Sequence, residues 1–253
     1  MKKFAFLPIF LFFSMVAVSQ VPQLINNNNG NEKEPVEMNN SIRSIPPGTL
    51  IYSQPFSCPP VNGISSIEGI YEDADDFILT SSSNVDIVRW WFSMNDDPAT
   101  TSWVIKIYDN QDCLPSALLG TWNITPADVT YEYVCTGLGL PIYDIWANLT
   151  PAFVPMPNVN YWIAITVVSG SYNNYWCEFG IAGDYYNCPG VIKFGSSDFQ
   201  SISSYLGYNW DFIFELYSTP ATPPIETPIS NWALGIGIFL IFAVALIRFR
   251  KLV

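Results

Sequence analysis

The sequence predicts an all-β fold for residues 50–218, a two-sheet antiparallel sandwich with a jelly-roll-like arrangement, flanked by an N-terminal signal helix and a C-terminal transmembrane helix. Apolar and polar residues alternate in short runs, which is the period of a β-strand, and glycine, proline, asparagine or aspartate separates the runs. No stretch of this region has a helical period. The expected strands are residues 76–80, 86–94, 102–108, 118–124, 130–135, 142–149, 160–168, 175–181, 191–194 and 211–217.

Alternation also divides each strand into two faces, because successive side chains of a strand point to opposite sides of the sheet. In the run 86–94, Val88, Trp90, Phe92 and Met94 share one face and are expected in the core. The same rule predicts that Trp103, Ile105, Ile107, Phe212, Phe214 and Leu216 are buried.

The N-terminal end predicts a secretory signal peptide over residues 1–20. Lys2 and Lys3 precede the apolar run 4–18, and small residues follow near the expected cleavage point. Residues 21–49 are polar, include four consecutive asparagines, and predict a disordered leader. We therefore expect that the chain is exported.

The C-terminal end predicts a proline-rich linker at residues 219–228, a transmembrane or sorting helix at 229–247 and a basic cytoplasmic tail at 248–253. The apolar residues 232–247 would extend roughly 24 Å as a helix, slightly less than a bilayer core. A buried core helix is the alternative, but the cations that follow directly would be hard to pack. An exported chain held by such a helix would lie at the cell surface, in contact with the membrane.

This C-terminal end resembles the tripartite sorting tails of PEP-CTERM and IPTL-CTERM proteins, which occur on exported bacterial proteins. The resemblance implies handling by an exosortase- or rhombosortase-like membrane enzyme. It also implies a location in the cell envelope, either anchored in the membrane or processed and released to the extracellular matrix. The residues that carry the resemblance are Pro228, Ser230, Trp232, Arg248, Arg250 and Lys251.

The middle of the chain resembles uncharacterised sandwich domains of exported bacterial proteins that carry such tails. The similar stretches are residues 74–77, 104–109, 114–116, 161–165 and 210–216. The resemblance implies a β-sandwich and an envelope location. It implies no activity and no site residues.

The exported part of the chain is strongly acidic. Residues 21–227 contain five lysines and arginines against all 22 acidic residues, a net charge of −17. Such a surface repels nucleic acid and anionic lipid headgroups, which bind to lysine and arginine. It is compatible with cations, with neutral sugars, or with solubility outside the cell.

The chain contains no histidine and no Cys-x-x-Cys motif, which excludes a Ser-His-Asp arrangement and argues against a structural zinc site. Its five cysteines allow at most two disulfides, and an exported protein is expected to form them. The favoured pairings are Cys113–Cys135 and Cys177–Cys188, with Cys58 unpaired or paired elsewhere.

Several aromatic residues alternate with polar residues and are predicted to lie on exposed sheet faces. Trp146 shares a face with Asp144, Trp176 shares a face with Glu178, and Trp91 also lies on a polar face. Exposed tryptophans beside carboxylates are typical of carbohydrate-binding surfaces, since the ring stacks on a sugar while polar groups bind its hydroxyls. Alternatively, these rings fill the second face of a sheet under a loop, or reflect the β-propensity of aromatic residues.

Two acidic clusters raise the possibility of calcium. Asp73, Asp75 and Asp76 precede one predicted strand, and Asp96 and Asp97 follow another. Calcium prefers several oxygen ligands from loops. Neither cluster has the spacing of an EF-hand, and turn formation explains the same residues.

These observations predict a surface-anchored, non-enzymatic structural or adhesive envelope protein, and alternatively a carbohydrate-binding module. A glycosidase would need paired carboxylates, and Glu132, Glu178 and Glu215 on predicted strands do not have the Glu-x-Asp-x-x-Glu spacing of laminarinase-like enzymes. Calcium is the only cofactor that the sequence suggests. The expected partners are the membrane, a sorting enzyme and a polysaccharide, but not nucleic acid.

Overall fold

The computed structural model shows a sandwich of two antiparallel sheets. It describes residues 24–26, 45–54, 56, 58, 62–137, 139–168, 170, 173–179, 188–207 and 209–220. Within these ranges no helix is both long enough and apolar enough to cross a bilayer. The predicted signal peptide and residues 221–253, which hold most of the linker, the transmembrane helix and the basic tail, lie outside the described residues.

The first sheet is centred on the long strand β5 (Val85–Met94). It pairs with β9 (Leu140–Phe153) along one side and with β11 (Asn174–Phe179) and β15 (Phe214–Ser218) along the other. Strand β8 (Val129–Gly137) pairs with β9 and forms an edge of this sheet. Among the described residues the first sheet has nine strands: β1 (Leu24–Asn26), β2 (Thr49–Ser53), β3 (Asn62–Ser65), β5 (Val85–Met94), β8 (Val129–Gly137), β9 (Leu140–Phe153), β11 (Asn174–Phe179), β14 (Asp211–Phe212) and β15 (Phe214–Ser218).

The second sheet has six strands within the described ranges, in the spatial order β13, β12, β4, β10, β6, β7. At the β7 edge the chain passes through a single 3-10 turn, Pro126–Asp128, and enters β8 of the first sheet. The strands are β4 (Tyr71–Ile78), β6 (Trp103–Gln111), β7 (Leu114–Ile124), β10 (Asn160–Val167), β12 (Val191–Phe194) and β13 (Gln200–Ser201), and a short helix, α1 (Ile202–Leu206), follows β13.

Each of the ten predicted strands overlaps a strand of the structure, although several boundaries differ. The largest shift is in β4, which begins at Tyr71 because the acidic run belongs to the strand and not to a preceding loop. The predicted leader also differs, since Leu24–Asn26 within residues 21–49 form β1 and pair with β3, and Thr49 already begins β2.

The core between the sheets contains the residues that alternation predicted. Trp90 and Phe92 of β5 meet Trp103 of β6 edge to face, with ring centroids 5.5 Å and 4.8 Å apart. The predicted burial of Val88, Met94, Ile105, Ile107, Phe212, Phe214 and Leu216 is confirmed, because each is at most 2% exposed.

Part of the outer face of each sheet is also buried. On the first sheet, Trp91, Ile142, Cys177 and Ile213 form a small cluster against Phe56, which comes from the chain after β2. On the second sheet, a similar cluster contains Ala74, Tyr108, Trp162, Ala164, Cys188 and Val191. Residues between strands, among them Phe56 and Phe199, therefore cover areas that an open sandwich would expose.

Two disulfides attach these covering segments, and the favoured pairings from the sequence are wrong. Cys58 pairs with Cys135 and Cys113 pairs with Cys188, while Cys177 is buried and belongs to neither bond. The bonds join residues 77 and 75 positions apart in sequence. Pairing by sequence proximity fails because each bond ties a segment between strands to a distant part of the sandwich.

A buried arginine, Arg89, pairs with two carboxylates on the outer face of the first sheet. The Arg89 guanidinium donates from Nε to Asp144 Oδ1 at 2.8 Å and forms a second contact with Asp144 Oδ2. It also donates to Glu215 Oε2 at 3.0 Å and lies 4.8 Å from the centroid of the Trp91 ring. Antiparallel pairing places Glu215 directly opposite Arg89, so the ion cluster ties three neighbouring strands together.

Replacing Arg89 is expected to destabilise the fold strongly. Arg89→Met leaves Asp144 and Glu215 without their cation on a buried face, and we expect a loss of about 3–5 kcal/mol in the free energy of unfolding. Urea unfolding followed by circular dichroism measures this change. Lys193→Met is the matched control, because its ammonium is more exposed and its partner Glu72 keeps Lys106, so we expect a loss of less than about 1 kcal/mol. Equal losses in the two variants would contradict this role of Arg89.

The disulfide map can be tested by proteolysis without reduction. Mass spectrometry is expected to find peptides linked through Cys58–Cys135 and Cys113–Cys188. A maleimide should label Cys177 only after the protein is unfolded, since its side chain is buried. Recovery of a Cys177–Cys188 peptide from the folded protein would overturn this connectivity.

Candidate functional site

The structure separates the three tryptophans that the sequence predicted to be exposed. For Trp176 the prediction is wrong: its side chain is fully buried between the sheets, its ring centroid is 4.6 Å from that of Phe212, and its Nε1 donates to the Ile213 carbonyl at 3.1 Å. Its cross-strand partners Ile64 and Phe92 are both core residues. Alternation correctly placed Trp176 on the same face as Glu178. The polar Glu178 suggested that this face is exposed, but Trp176 faces the core.

Trp91 lies on an outer face as predicted, yet it is not exposed. Phe56 stacks on its ring with centroids 5.1 Å apart and an interplanar angle of 7°, and only 1% of Trp91 is accessible. Asp144 is also buried, and Arg89 neutralises it. The alternative interpretation, an aromatic residue under a covering segment, is thus correct for Trp91, and Asp144 is not available to a ligand.

For Glu178 the structure describes the backbone pairing, with Asn62 and Phe212, but not the side chain.

Trp146 differs from the other described tryptophans because its side chain is partly exposed. It lies on β9 opposite Thr130 of β8 on one side and Arg89 of β5 on the other. Its indole nitrogen is buried and has no hydrogen-bond partner among the described residues. The other seven tryptophans in the described part of the chain are buried: Trp90, Trp91, Trp103, Trp122, Trp162, Trp176 and Trp210.

Trp146 lines a groove of ≈ 670 Å³, which we call the edge groove, where the chain crosses between the two sheets. Its walls are residues 121–124 of β7, residues 127–130 around the start of β8, and Trp146, Asn148 and Thr150 of β9. This volume lies within the range of about 300–1,000 Å³ that is common for ligand sites.

The crossing turn builds one side of the edge groove. Thr125 precedes the 3-10 turn, and its backbone N–H and Oγ1 both donate to Asp128 Oδ2, at 3.1 Å and 2.6 Å. These hydrogen bonds from Thr125 hold the pKa of Asp128 below its ordinary value, so the exposed carboxylate is ionised at neutral pH. The Thr-Pro-Ala-Asp sequence has the Ser/Thr-x-x-Asp/Glu spacing of a capping box, a pattern from which this turn could have been predicted.

Trp122 fixes the β7 wall of the edge groove. Its Nε1 donates to the Pro151 carbonyl on β9 at 2.7 Å, which connects the two sheets at this end. The ring lies over Gly120, where an added Cβ would come within 2.5 Å of the indole. Glycine is therefore required for this close approach, and the wall is held in place before any ligand binds.

The polar side chains that line the edge groove are neutral threonines and asparagines except for Asp128. Thr121, Asn123, Asn148 and Thr150 are exposed on its walls, and Asp128 is the one carboxylate among its lining residues. Hydroxyl and amide groups can donate and accept, whereas an ionised carboxylate accepts only. The edge groove can thus receive a ligand with one apolar surface and several hydroxyl groups.

A second cleft, of ≈ 580 Å³, lies on the outer face of the second sheet and differs in character. Its aromatic residues are Tyr108 and Phe199, and Lys193 of the same chain already lies over both rings, 4.6 Å from the Phe199 centroid and 5.9 Å from the Tyr108 centroid. The Tyr108 hydroxyl also donates to Glu72. A lysine side chain of the protein therefore already lies over both aromatic rings of this cleft.

The aspartates predicted as calcium ligands do not lie in a loop site. Asp73, Asp75 and Asp76 lie within β4, and the described residues contain no group of three or more acidic or cysteine side chains arranged for a metal. Asp96 instead accepts from Asn174 Nδ2 at 2.7 Å, and Asp97 accepts from the Ala99 backbone at 2.9 Å, where it caps a 3-10 turn. The expectation that these residues sit on loops is wrong for the three in β4.

Burial raises the pKa of each of these three β4 carboxyls. Asp75 accepts hydrogen bonds from Gln54 Nε2 at 3.0 Å and from the Phe212 backbone at 2.5 Å, and thereby links the two sheets. Neither oxygen of Asp73 has a hydrogen-bond partner among the described residues. Loss of hydration raises the pKa of Asp73 and Asp75 well above the ordinary value, and raises the pKa of Asp76 to about 7.

Comparisons with known proteins give little. No protein-family model and no curated protein matches the chain. Among solved structures, the chain is similar to the cysteine protease and lectin-like domains of Cwp84, a surface layer associated protein of Clostridium difficile, at 12% identity and a TM-score of 0.40. The alignment covers 64% of this chain and 34% of that one, so the chain spans about a third of its length. A likeness of this size does not indicate what this chain binds.

Asp76 is expected to make the protein more stable in mild acid. A folded-state pKa of about 7, against an ordinary value near 3.9, means that the folded state takes up a proton that the unfolded chain releases. This stabilisation is complete below about pH 4 and is lost as the pH rises through 7. From pH 8 to pH 5, Asp76 alone should add about 2–3 kcal/mol to the free energy of unfolding.

Asp76→Asn tests this expectation, because it should reduce the pH dependence between pH 5 and pH 8 by that amount and stabilise the protein at pH 8. Urea unfolding at several pH values is the measurement. Asp128→Asn is the control, since a carboxyl with a lowered pKa does not titrate in this range. A pH dependence that is unchanged in Asp76→Asn would show that Asp76 is ionised in the folded protein.

Proposed function

We propose that this chain is a non-enzymatic adhesive protein of the cell envelope that binds carbohydrate in the edge groove. The observation that carries the proposal is the position of Trp146, the partly exposed tryptophan of the described chain, in a groove lined by hydroxyl and amide groups. The structural or adhesive role predicted from the sequence is then adhesion through a glycan. The predicted tryptophan platform is reduced from three rings to one.

The chemistry of a sugar ring suits this arrangement. A pyranose presents C–H groups on one face and hydroxyls around its rim, and an aromatic ring with polar neighbours binds both kinds of group. Trp146 supplies the aromatic surface. Asn123, Asn148 and Thr150 supply donors and acceptors beside it, and Asp128 supplies a carboxylate that accepts from hydroxyl groups.

A catalytic role has less support than a binding role. Glycoside hydrolysis requires two carboxyl groups roughly 5–10 Å apart on either side of the bond, and Asp128 is the one carboxylate that lines the edge groove. Glu215, one of the acids considered from the sequence, is bound to Arg89 and is not among the residues that line the groove. The absence of histidine from the sequence removes the commonest general base.

The proposed location rests on the disulfides and on the two ends of the sequence. Two disulfides are typical of a protein that folds in an oxidising compartment. The predicted signal peptide and the resemblance of residues 228–251 to a sorting tail agree with export. We propose that the domain is held at the surface by this tail, or released from it by a sorting enzyme.

Isothermal titration calorimetry of the full-length, disulfide-bonded protein against a panel of polysaccharides tests the proposal. For any polysaccharide that binds, Trp146→Ala should weaken the affinity about tenfold or more, a loss of about 1.4 kcal/mol, because a central aromatic contact is removed. Asn148→Ala, an exposed substitution in the same groove, should weaken it by a smaller factor. Unfolding curves establish that both variants are folded.

Tyr133→Ala is the matched control for removal of an aromatic ring. Tyr133 is 57% exposed on the edge strand β8 and does not line the groove, so its loss should leave the affinity unchanged. The proposal fails if no polysaccharide binds, or if binding is insensitive to both Trp146→Ala and Asn148→Ala.

A further inference from the structure

We infer that the ligand of the edge groove is an uncharged glycan, and that the protein rejects acidic polysaccharides such as polyuronic acids. This inference rests on the proposed function and adds the chemical class of the ligand. It comes from a separate observation, which is where the positive charges of the folded domain are.

Every cation of the described residues is bound to carboxylates of the same chain. Arg89 is 6% exposed and is paired with Asp144 and Glu215. Lys106 contacts Glu68 Oε1 at 2.9 Å and Glu72 Oε2 at 2.8 Å, and Lys193 contacts Glu72 Oε2 at 3.0 Å. The described surface therefore offers no unpaired lysine or arginine to the carboxylate, sulfate or phosphate groups of a ligand.

The edge groove also offers no positive charge to a ligand. None of its lining residues is a lysine or arginine, and its one charged group, Asp128, is negative. An acidic sugar in the groove would lose water from its carboxylate without gaining a cation, which is unfavourable. It would also approach a domain in which acids greatly outnumber cations, and the resulting repulsion acts over about 8 Å at physiological salt.

The groove is equally unsuited to a specific cationic ligand. Tight binding of an ammonium group needs a carboxylate shielded from water or a cage of several aromatic rings. Asp128 is exposed, so water screens an ion pair with it, and Trp146 and Trp122 are the aromatic residues of the lining. Trp122 is buried. Neutral hydroxyl or acetamido groups match the threonine and asparagine side chains that remain.

A chemically matched pair of ligands tests the inference. The neutral polysaccharide that binds most tightly is compared with the same polymer after oxidation of its primary hydroxyls to carboxylates. At about 0.01 M salt, where screening extends over roughly 30 Å, the full-length protein should bind the oxidised polymer at least about tenfold more weakly than the neutral one. At about 0.1 M salt the difference should narrow, while the affinity for the neutral polymer should change by less than about twofold.

A variant that adds a cation to the groove makes the reason for rejection testable. Asn148→Lys should increase the affinity for the oxidised polymer about tenfold, because a carboxylate then has a partner. Thr80→Lys, an exposed substitution outside the groove, adds the same charge to the domain and should increase it much less. Equal gains in both variants would attribute rejection to net charge alone and would overturn the assignment to the groove.

The outcomes distinguish failure of the inference from failure of the proposed function. Binding of the oxidised polymer as tightly as the neutral one, with the same dependence on Trp146, would overturn the inference and leave carbohydrate binding intact. Tighter, salt-sensitive binding of a glucosamine polymer would also overturn it, in favour of a cationic ligand. If Trp146→Ala and Asn148→Ala change the binding of no polymer, the proposed function fails and the inference fails with it.

Discussion

Both sheets of this sandwich bury part of their outer face as well as their inner face, and this constraint limits the surface on which a ligand could bind. In a simple antiparallel sandwich the inner faces form the core and the outer faces meet water. Here Phe56 covers Trp91 on the first sheet, and a second cluster around Trp162 covers the other. Disulfides between cysteines far apart in sequence attach the covering segments, so the aromatic residues beneath them, such as Trp91 and Trp162, are structural. The edge groove lies outside these covered areas, among the exposed residues of β7, the start of β8 and the end of β9.

The same constraint explains how an acidic domain uses its few cations. A covered outer face cannot hold an isolated charge, so each buried carboxylate needs a partner or a proton. Arg89 is the cation that pairs with both Asp144 and Glu215. Burial opposes ionisation of Glu72, but hydrogen bonds from Lys106 and Tyr108 outweigh it and leave the pKa of Glu72 below its ordinary value. Asp73 and Asp75 of β4 form no ion pair with a described lysine or arginine, and burial raises the pKa of both well above the ordinary value, which favours their protonated form. Little positive charge is left for the surface.

Sequence periodicity predicted the strands well and the sides of the strands less well. Alternation separates Trp90 from Trp91 and Trp176 from Cys177 without any structure, because successive side chains of a strand point in opposite directions. It does not say which set faces the core when both faces are buried. For β5 the choice was correct because four apolar residues share one face. For β11 the polar Glu178 suggested exposure, although the partners of Trp176 are Ile64 and Phe92.

The candidate site could be predicted only in part, because it combines residues that no local pattern connects. Trp146 was singled out from its own strand, and the capping box at Thr125 indicates the turn beside it. The meeting of that turn with β7 and β9 depends on the crossing of the chain from one sheet to the other, which alternation does not encode. The disulfide pairing was mispredicted for a related reason: Cys58 and Cys135 are brought together by a segment that covers a sheet face, not by neighbouring strands.

Asp128 of the edge groove and Asp76 of β4 titrate in different pH ranges. A change in pH can therefore alter the stability of the domain without altering the charge of the groove. Asp76 gains its proton near neutral pH, whereas hydrogen bonds from Thr125 keep Asp128 ionised well into the acidic range. The strand of Asp76, β4, is three strand spacings from β7, roughly 14 Å, with β10 and β6 between them. Mild acidification therefore strengthens the scaffold by removing a buried charge while the charge of the edge groove is unchanged. In the proposed role at the cell envelope, the groove would keep the same ligand preference across the pH range in which the stability of the domain varies most.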